Sequence, residues 1–144
     1  MFRTHLEYSI LFFGSVPKYQ LKTIESLQKK CIRNVLGISG FHRSEQQFKQ
    51  LGLLTVDQTF SFSSCKFMFN YVNGKLPTSF DGIFTPLHNY DRTNSFLLQR
   101  VKYKVFERFP SYFLPKCWNE IKNEVKSINS FSQFKSNLLQ PFLS

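Results

Sequence analysis

Acidic residues are scarce in this chain. Nine Asp and Glu stand against 19 Lys and Arg, a formal charge of +10 over 144 residues. The nine are Glu7, Glu25, Glu45, Asp57, Asp81, Asp91, Glu107, Glu120 and Glu124, and no two are adjacent. Only Glu120 and Glu124 share a helical face, next to Lys122 and Lys126, which reads as ordinary surface charge. Two-metal catalysis needs carboxylates that hold cations about 4 Å apart. No such grouping is present in the sequence, so no catalytic residue is assigned. Cysteine and histidine are also few and scattered. Cys31, Cys65 and Cys117 form no CxxC pair, and His5, His42 and His88 lie far apart. Zinc needs clustered ligands, so no metal site and no cofactor is expected. Three buried, reduced thiols in an intracellular protein are expected instead. The six glycines stand singly, so there is no phosphate-binding loop, and no Gly-x-Ser-x-Gly elbow occurs. No apolar run approaches the roughly 20 residues of a membrane span. Residues 1–14 are apolar but carry Arg3, His5 and Glu7 and end in no small-residue cleavage site, so they read as a helix rather than a signal peptide.

What the chain does have is phenylalanine, 18 of them, with no alanine. An aromatic and aliphatic core is expected, and 144 residues suffice to bury roughly 70% of the unfolded surface. The expected fold class is mainly α: a small helical domain with a short β-hairpin or strand element near residues 97–113. Within one domain or fragment, residues 1–74 form a helical part, 75–95 a loop, and 96–144 the β element with C-terminal helices. Phe2, Leu6, Ile10 and Phe13 recur at helical spacing, and Gly14 stops the pattern. A second helix is predicted over about 17–36, with Leu21, Ile24, Leu27, Cys31 and Val35 as its apolar stripe. Pro17 suits its first turn and Gly37 its stop. Ser44 with Gln47, and Thr55 with Gln58, have capping-box spacing and open helices to about Leu51 and Asn73. Val101, Tyr103 and Val105 alternate with Arg100, Lys102 and Lys104, the period of a strand. Pro115 is expected to open a helix to about Glu124. Asn129 or Ser130 is expected to cap a last helix with the face Phe131, Phe134, Leu138 and Phe142.

The basic residues are the strongest functional signal. Lys18, Lys22, Lys29 and Arg33 fall on one side of the second helix, with Glu25 interrupting the row. On a strand, Arg100, Lys102 and Lys104 would point the same way, roughly 6–7 Å apart, and meet successive phosphates. The bland reading of each row is a solvated face. Trp118, the single tryptophan, reads either as a base-stacking platform or as a core anchor. Lys22, Lys29, Arg33, Arg100, Lys102 and Lys104 are the candidate nucleic-acid-binding residues.

A series of short motifs carries a resemblance. His5-Leu6-Glu7-Tyr8 and Phe13-Gly14 come first, then Leu27-Gln28-Lys29-Lys30 with Ile32-Arg33. Phe48 with Leu51-Gly52-Leu53-Leu54 follows, then Lys66-Phe67-Met68-Phe69 with Tyr71, and Asn73-Gly74-Lys75-Leu76-Pro77. Pro115-Lys116 with Trp118-Asn119 and Ile121 comes next, then Ser127 to Ser130 with Phe131, Phe134 and Lys135. In this order the set resembles the region C-terminal to the polymerase core (thumb-side and post-thumb) of non-LTR retrotransposon reverse transcriptases of the jockey and CR1 type. The chain departs from that pattern at Tyr8-Ser9, where the family usually has Tyr-Gly. It departs again at Phe13-Gly14 for Trp-Gly, and at Ile121-Lys122 for Leu-Pro. The resemblance implies a non-catalytic segment that contacts template or primer, since the family's endonuclease and its palm with paired aspartates would lie before residue 1. The parent would be an RNA-directed DNA polymerase, but no activity carries over to any residue here.

Three readings follow. The first is such a transposable-element fragment, an accessory region beside a missing polymerase core. The second is a free-standing basic module that binds RNA or DNA. The third is a structural or protein-interaction domain whose charge only keeps it in solution. All three imply an intracellular site, nucleus or cytoplasm, and no membrane partner. The apolar row Phe2, Leu6, Ile10 and Phe13, lacking its partner surface, implies self-association.

Overall fold

A computed structural model describes residues 10–37, 44–87 and 95–143. The architecture is mainly helical, as the periodicities predict. Seven α-helices are present among the described residues: α1 Ile10–Phe13, α2 Lys18–Leu36, α3 Ser44–Gln50, α4 Val56–Val72, α5 Pro110–Asn119, α6 Asn123–Lys126 and α7 Phe131–Leu143. None of the described helices is long and apolar enough to cross a membrane. The chain divides into two compact units, Met1–Phe60 with Gln140–Ser144, and Ser61–Leu139.

The first unit is built on a small aliphatic core. Ile10, Leu21 and Val56 are buried, and Leu11, Phe13, Val16, Ile24 and Phe60 pack around them. Gly14 lets α1 approach α4, because a Cβ there would collide with the Phe60 ring and the Ile10 carbonyl. The described end of the predicted Phe2–Phe13 row is therefore packed within its own unit. Phe2 and Leu6 lie outside the described residues. Helix α2 starts after Pro17 and stops at Gly37, whose left-handed backbone (φ 64°) turns its N–H back to the Arg33 and Asn34 carbonyls. Its buried face differs from the predicted stripe. Leu21, Gln28 and Ile32 are buried, whereas Leu27, Cys31 and Val35 are exposed. Gln28 accounts for the shift: its amide donates to the Leu54 carbonyl at 2.8 Å, so a polar residue occupies the core-facing position. The capping box of α4 is complete. Thr55 N–H donates to Gln58 Oε1 at 3.0 Å, and Gln58 N–H donates to Thr55 Oγ1 at 3.3 Å. The glutamine half of the box expected at Ser44 is not made, since Gln47 Oε1 is buried without a hydrogen-bond partner.

The second unit holds the aromatic core. From Phe62 to Cys65 four consecutive residues of α4 are buried, followed by Met68 and Phe69. This stretch is covered on all sides rather than along one stripe. Phe134 stacks on Phe69 with ring centres 4.4 Å apart, and Trp118 packs on Phe134 at 5.9 Å. Segment 75–95, predicted as loop, supplies Phe84 to this core. Phe84 meets Tyr71 at 4.8 Å and its N–H donates to the Tyr71 hydroxyl at 3.3 Å.

No strand forms over residues 97–113. The β feature among the described residues is one isolated antiparallel bridge, Pro86 with Phe96. Beyond it the backbone is irregular to Tyr103, turns as a 3-10 helix over Lys104–Arg108, and enters α5 at Pro110. The physical reason is that no backbone among the described residues pairs with it. A strand needs a neighbouring backbone for its ladder and a covered face for its apolar residues. Here Tyr103 and Val105 face solvent. The segment satisfies its amides locally instead, Phe106 N–H to Tyr103 and Phe109 N–H to Phe106. Pro110 fits the first turn of α5, where its missing N–H costs nothing. The helix predicted to start at Pro115 thus begins five residues earlier and contains that proline. It stops at Asn119, and α6 follows as a separate turn.

Candidate nucleic-acid interface

Helix α2 carries Lys22, Lys29 and Arg33. At 100° per residue these fall within about 40° of arc, on the border of the face that buries Leu21, Gln28 and Ile32. That position explains their exposure: Lys22 is open, whereas Lys29 and Arg33 are half-buried. Arg33 Nε donates to the Lys29 carbonyl at 3.4 Å, so the guanidinium leans along its own helix. The side chain of Lys18 lies outside the described residues. Leu27, Cys31 and Val35 occupy the opposite border, open to solvent.

Arg100, Lys102 and Lys104 are all exposed, and Arg108 joins them four residues on. The period-two argument that would align the first three lapses, because the backbone turns at Lys104. The structure arranges a different set instead. A 3-10 helix eclipses side chains at i and i+3 and advances about 6 Å in three residues. Phe106 lies in the turn, Tyr103 and Phe109 flank it in extended backbone, and ring contacts join the three in series as a column. Their ring centres are 6.2 and 5.6 Å apart, and the second pair is inclined by only 28°. All three rings face solvent, Tyr103 at 58%, Phe106 at 43% and Phe109 at 50% of full exposure. The Lys102 ammonium lies 5.6 Å from the Tyr103 ring centre, a cation–π contact. Glu107 is the single acid in this stretch.

Trp118 is not available as a platform. It has no exposed surface and serves as the core anchor of α5. Its neighbour Asn119 has a task that residue spacing does not reveal. The Asn119 amide accepts from Phe96 N–H at 2.9 Å and donates to the Phe96 carbonyl at 2.8 Å, closing the chain end of the β-bridge like a partner strand. Lys126, which reads as surface charge in the sequence, is buried and donates to Ser95 Oγ and the Asn119 carbonyl at 3.4 and 3.5 Å.

The thiols divide. Cys31 is exposed, contrary to expectation, while Cys65 is buried and Cys117 half-buried. Cys65 Sγ donates to the Cys117 carbonyl at 3.7 Å. Burial, then Cys117 and Glu120, holds the Cys65 thiol far above its ordinary range. Burial, then Glu120, pushes Cys117 up to about 11. Both are therefore protonated and unreactive near neutral pH. Among the described residues no three His, Cys, Asp or Glu side chains gather as a metal-binding group.

No family model matches the chain, and neither a curated protein nor a solved structure is found to be similar to it.

Proposed function

We propose that the chain is a non-catalytic, nucleic-acid-contacting segment of the reverse-transcriptase C-terminal type, holding RNA or DNA through backbone phosphates. The observation that carries this reading is the open display of Arg100, Lys102, Lys104 and Arg108 within nine residues of one segment, on a chain of net charge +10. Such a field attracts a polyanion at long range, and short-range contacts to phosphate are indifferent to base order. The ordered motif set from His5-Leu6-Glu7-Tyr8 to Phe134-Lys135 supports the reverse-transcriptase assignment over an unrelated basic module.

The test is fluorescence anisotropy of a labelled single strand titrated at several salt concentrations. Affinity is expected to fall with a slope of about −0.7 per phosphate contacted. Joint replacement of Arg100, Lys102 and Lys104 by Gln is expected to reduce that slope by about two. Replacing Lys30, Lys116 and Lys135, three exposed lysines elsewhere, is expected to do less. Equal losses from both triple variants would overturn the site assignment. Primer extension above a heat-inactivated control would overturn the non-catalytic part.

A further inference from the structure

Tyr103, Phe106 and Phe109 pose a physical problem that phosphate binding alone leaves unsolved. With Val105, they place four large apolar side chains in water within seven residues, each about half exposed. The same chain buries Phe62, Phe69, Phe84, Phe96, Phe113 and Phe134, so burial sites for rings exist and these three are not in them. Their alignment follows from backbone hydrogen bonds of the 3-10 turn, Phe106 N–H to Tyr103 and Phe109 N–H to Phe106, rather than from a packed core beneath. The column has cations before and within it, Arg100 and Lys102 ahead of Tyr103 and Lys104 and Arg108 between the rings, against the single acid Glu107.

We propose that this column is a base-stacking platform for single-stranded nucleic acid, with Tyr103, Phe106 and Phe109 receiving bases while the bordering cations hold the phosphates. This rests on the phosphate-binding reading above and adds the substrate class. Half-exposed aromatic rings interleaved with positive charge are the combination that single-strand binding requires, and the surface these rings leave open beside their contacts with one another and with Lys102 is where bases would stack. Bases in a duplex are already stacked on one another and offer no free face, so the platform discriminates strandedness, whereas the cations do not. The charge also selects this occupant over a second copy of the chain, which would bring the same four cations against these four.

The decisive probe is a pair of strands of equal length and charge, an oligothymidylate and its abasic counterpart, which keeps the phosphates and lacks the bases. The unaltered protein is expected to bind the thymidylate strand roughly 5- to 100-fold more tightly, the range of a single base–aromatic contact or a little more. Joint Tyr103→Leu, Phe106→Leu and Phe109→Leu replacement keeps the patch apolar and removes its aromatic faces. It is expected to erase that ratio and leave the abasic affinity and the salt slope unchanged. Equal binding of both strands by the unaltered protein would overturn the platform while leaving the phosphate reading intact. Absence of binding to either strand at low salt would overturn both. A self-association that the leucine variant weakens, without any base-dependent ratio, would assign the patch to a second copy and overturn the proposal.

Discussion

Two basic stretches of this chain carry the same charge in opposite surroundings. On α2, Lys22, Lys29 and Arg33 border a packed face, and two of the three are half-buried. At 100–108 the cations flank aromatic rings that face water. A charge on the rim of a core is held near its helix and lends its methylenes to packing. A charge beside an exposed ring has no such task inside its own unit. A row of cations in a sequence therefore says little until the apolar residues between them are located. On α2 the intervening Gln28 and Ile32 go inward, whereas at 103–109 the intervening aromatics go outward.

The comparison breaks most visibly if the two classes of aromatic are not what their burial implies. Trp118→Ala is expected to cost about 3–5 kcal/mol, as for any fully buried large ring. Phe106→Ala is expected to cost less than about 1 kcal/mol, as for an exposed site. Chemical denaturation of both variants measures the difference, and similar losses would show that the 3-10 column is part of the core. Next in size is Gln28→Leu. It strands the Leu54 carbonyl without its 2.8 Å donor, a loss of about 1–3 kcal/mol by denaturant midpoint. An unchanged midpoint would mean that α2 does not rely on this bond, and the explanation of its rotated face would fall.

A smaller effect separates the two basic stretches directly. Joint Lys22→Gln, Lys29→Gln and Arg33→Gln replacement is expected to reduce the salt slope of single-strand binding by less than about one contact's share, ~0.7, because Lys29 and Arg33 are half-buried and the Arg33 guanidinium already bonds along its own helix. A reduction equal to that of the Arg100, Lys102 and Lys104 set would erase the distinction. The smallest effect concerns the thiols. Cys117 has a folded pKa near 11 against an ordinary value of 9.0. Its folded state is thus favoured while the thiol stays protonated. That contribution is complete below pH 9 and is lost as pH rises toward 11. Alkylation at neutral pH is expected to label Cys31 first and to reach Cys65 and Cys117 only on unfolding. Equal rates at all three would contradict the burial described here.

Much of the helical layout was written locally. The Thr55–Gln58 box, the stop at Gly37 and the closure at Asn73-Gly74 each depend on a few neighbouring residues, and each forms where the sequence places it. A cap or a left-handed turn is decided within one turn of chain, so spacing is enough to find it. The burial of Trp118 was likewise legible, because a ring of that size on a short helix has few other ways to lower its free energy.

Tertiary structure decided the rest. The alternation at 100–105 is as compatible with a 3-10 entry to α5 as with a strand, and among the described residues no backbone is placed to pair with it. Segment 75–95 reads as loop by its Pro and Asn content, yet Phe84 joins the core because Tyr71 and Phe96 are there to receive it. Gln28, Asn119 and Lys126 look like surface residues in the sequence and are drawn inward by carbonyls far along the chain or across a turn. The sequence by itself determined those helix ends that a cap or a left-handed glycine sets within a few residues, at Pro17, Gly37, Thr55 and Gly74, but not the start of α5 at Pro110. Which face of α2 is buried, which lysine is hidden and which rings are left in water depended on long-range partners, and hydrophobic burial carries no local signature of the neighbour that completes it.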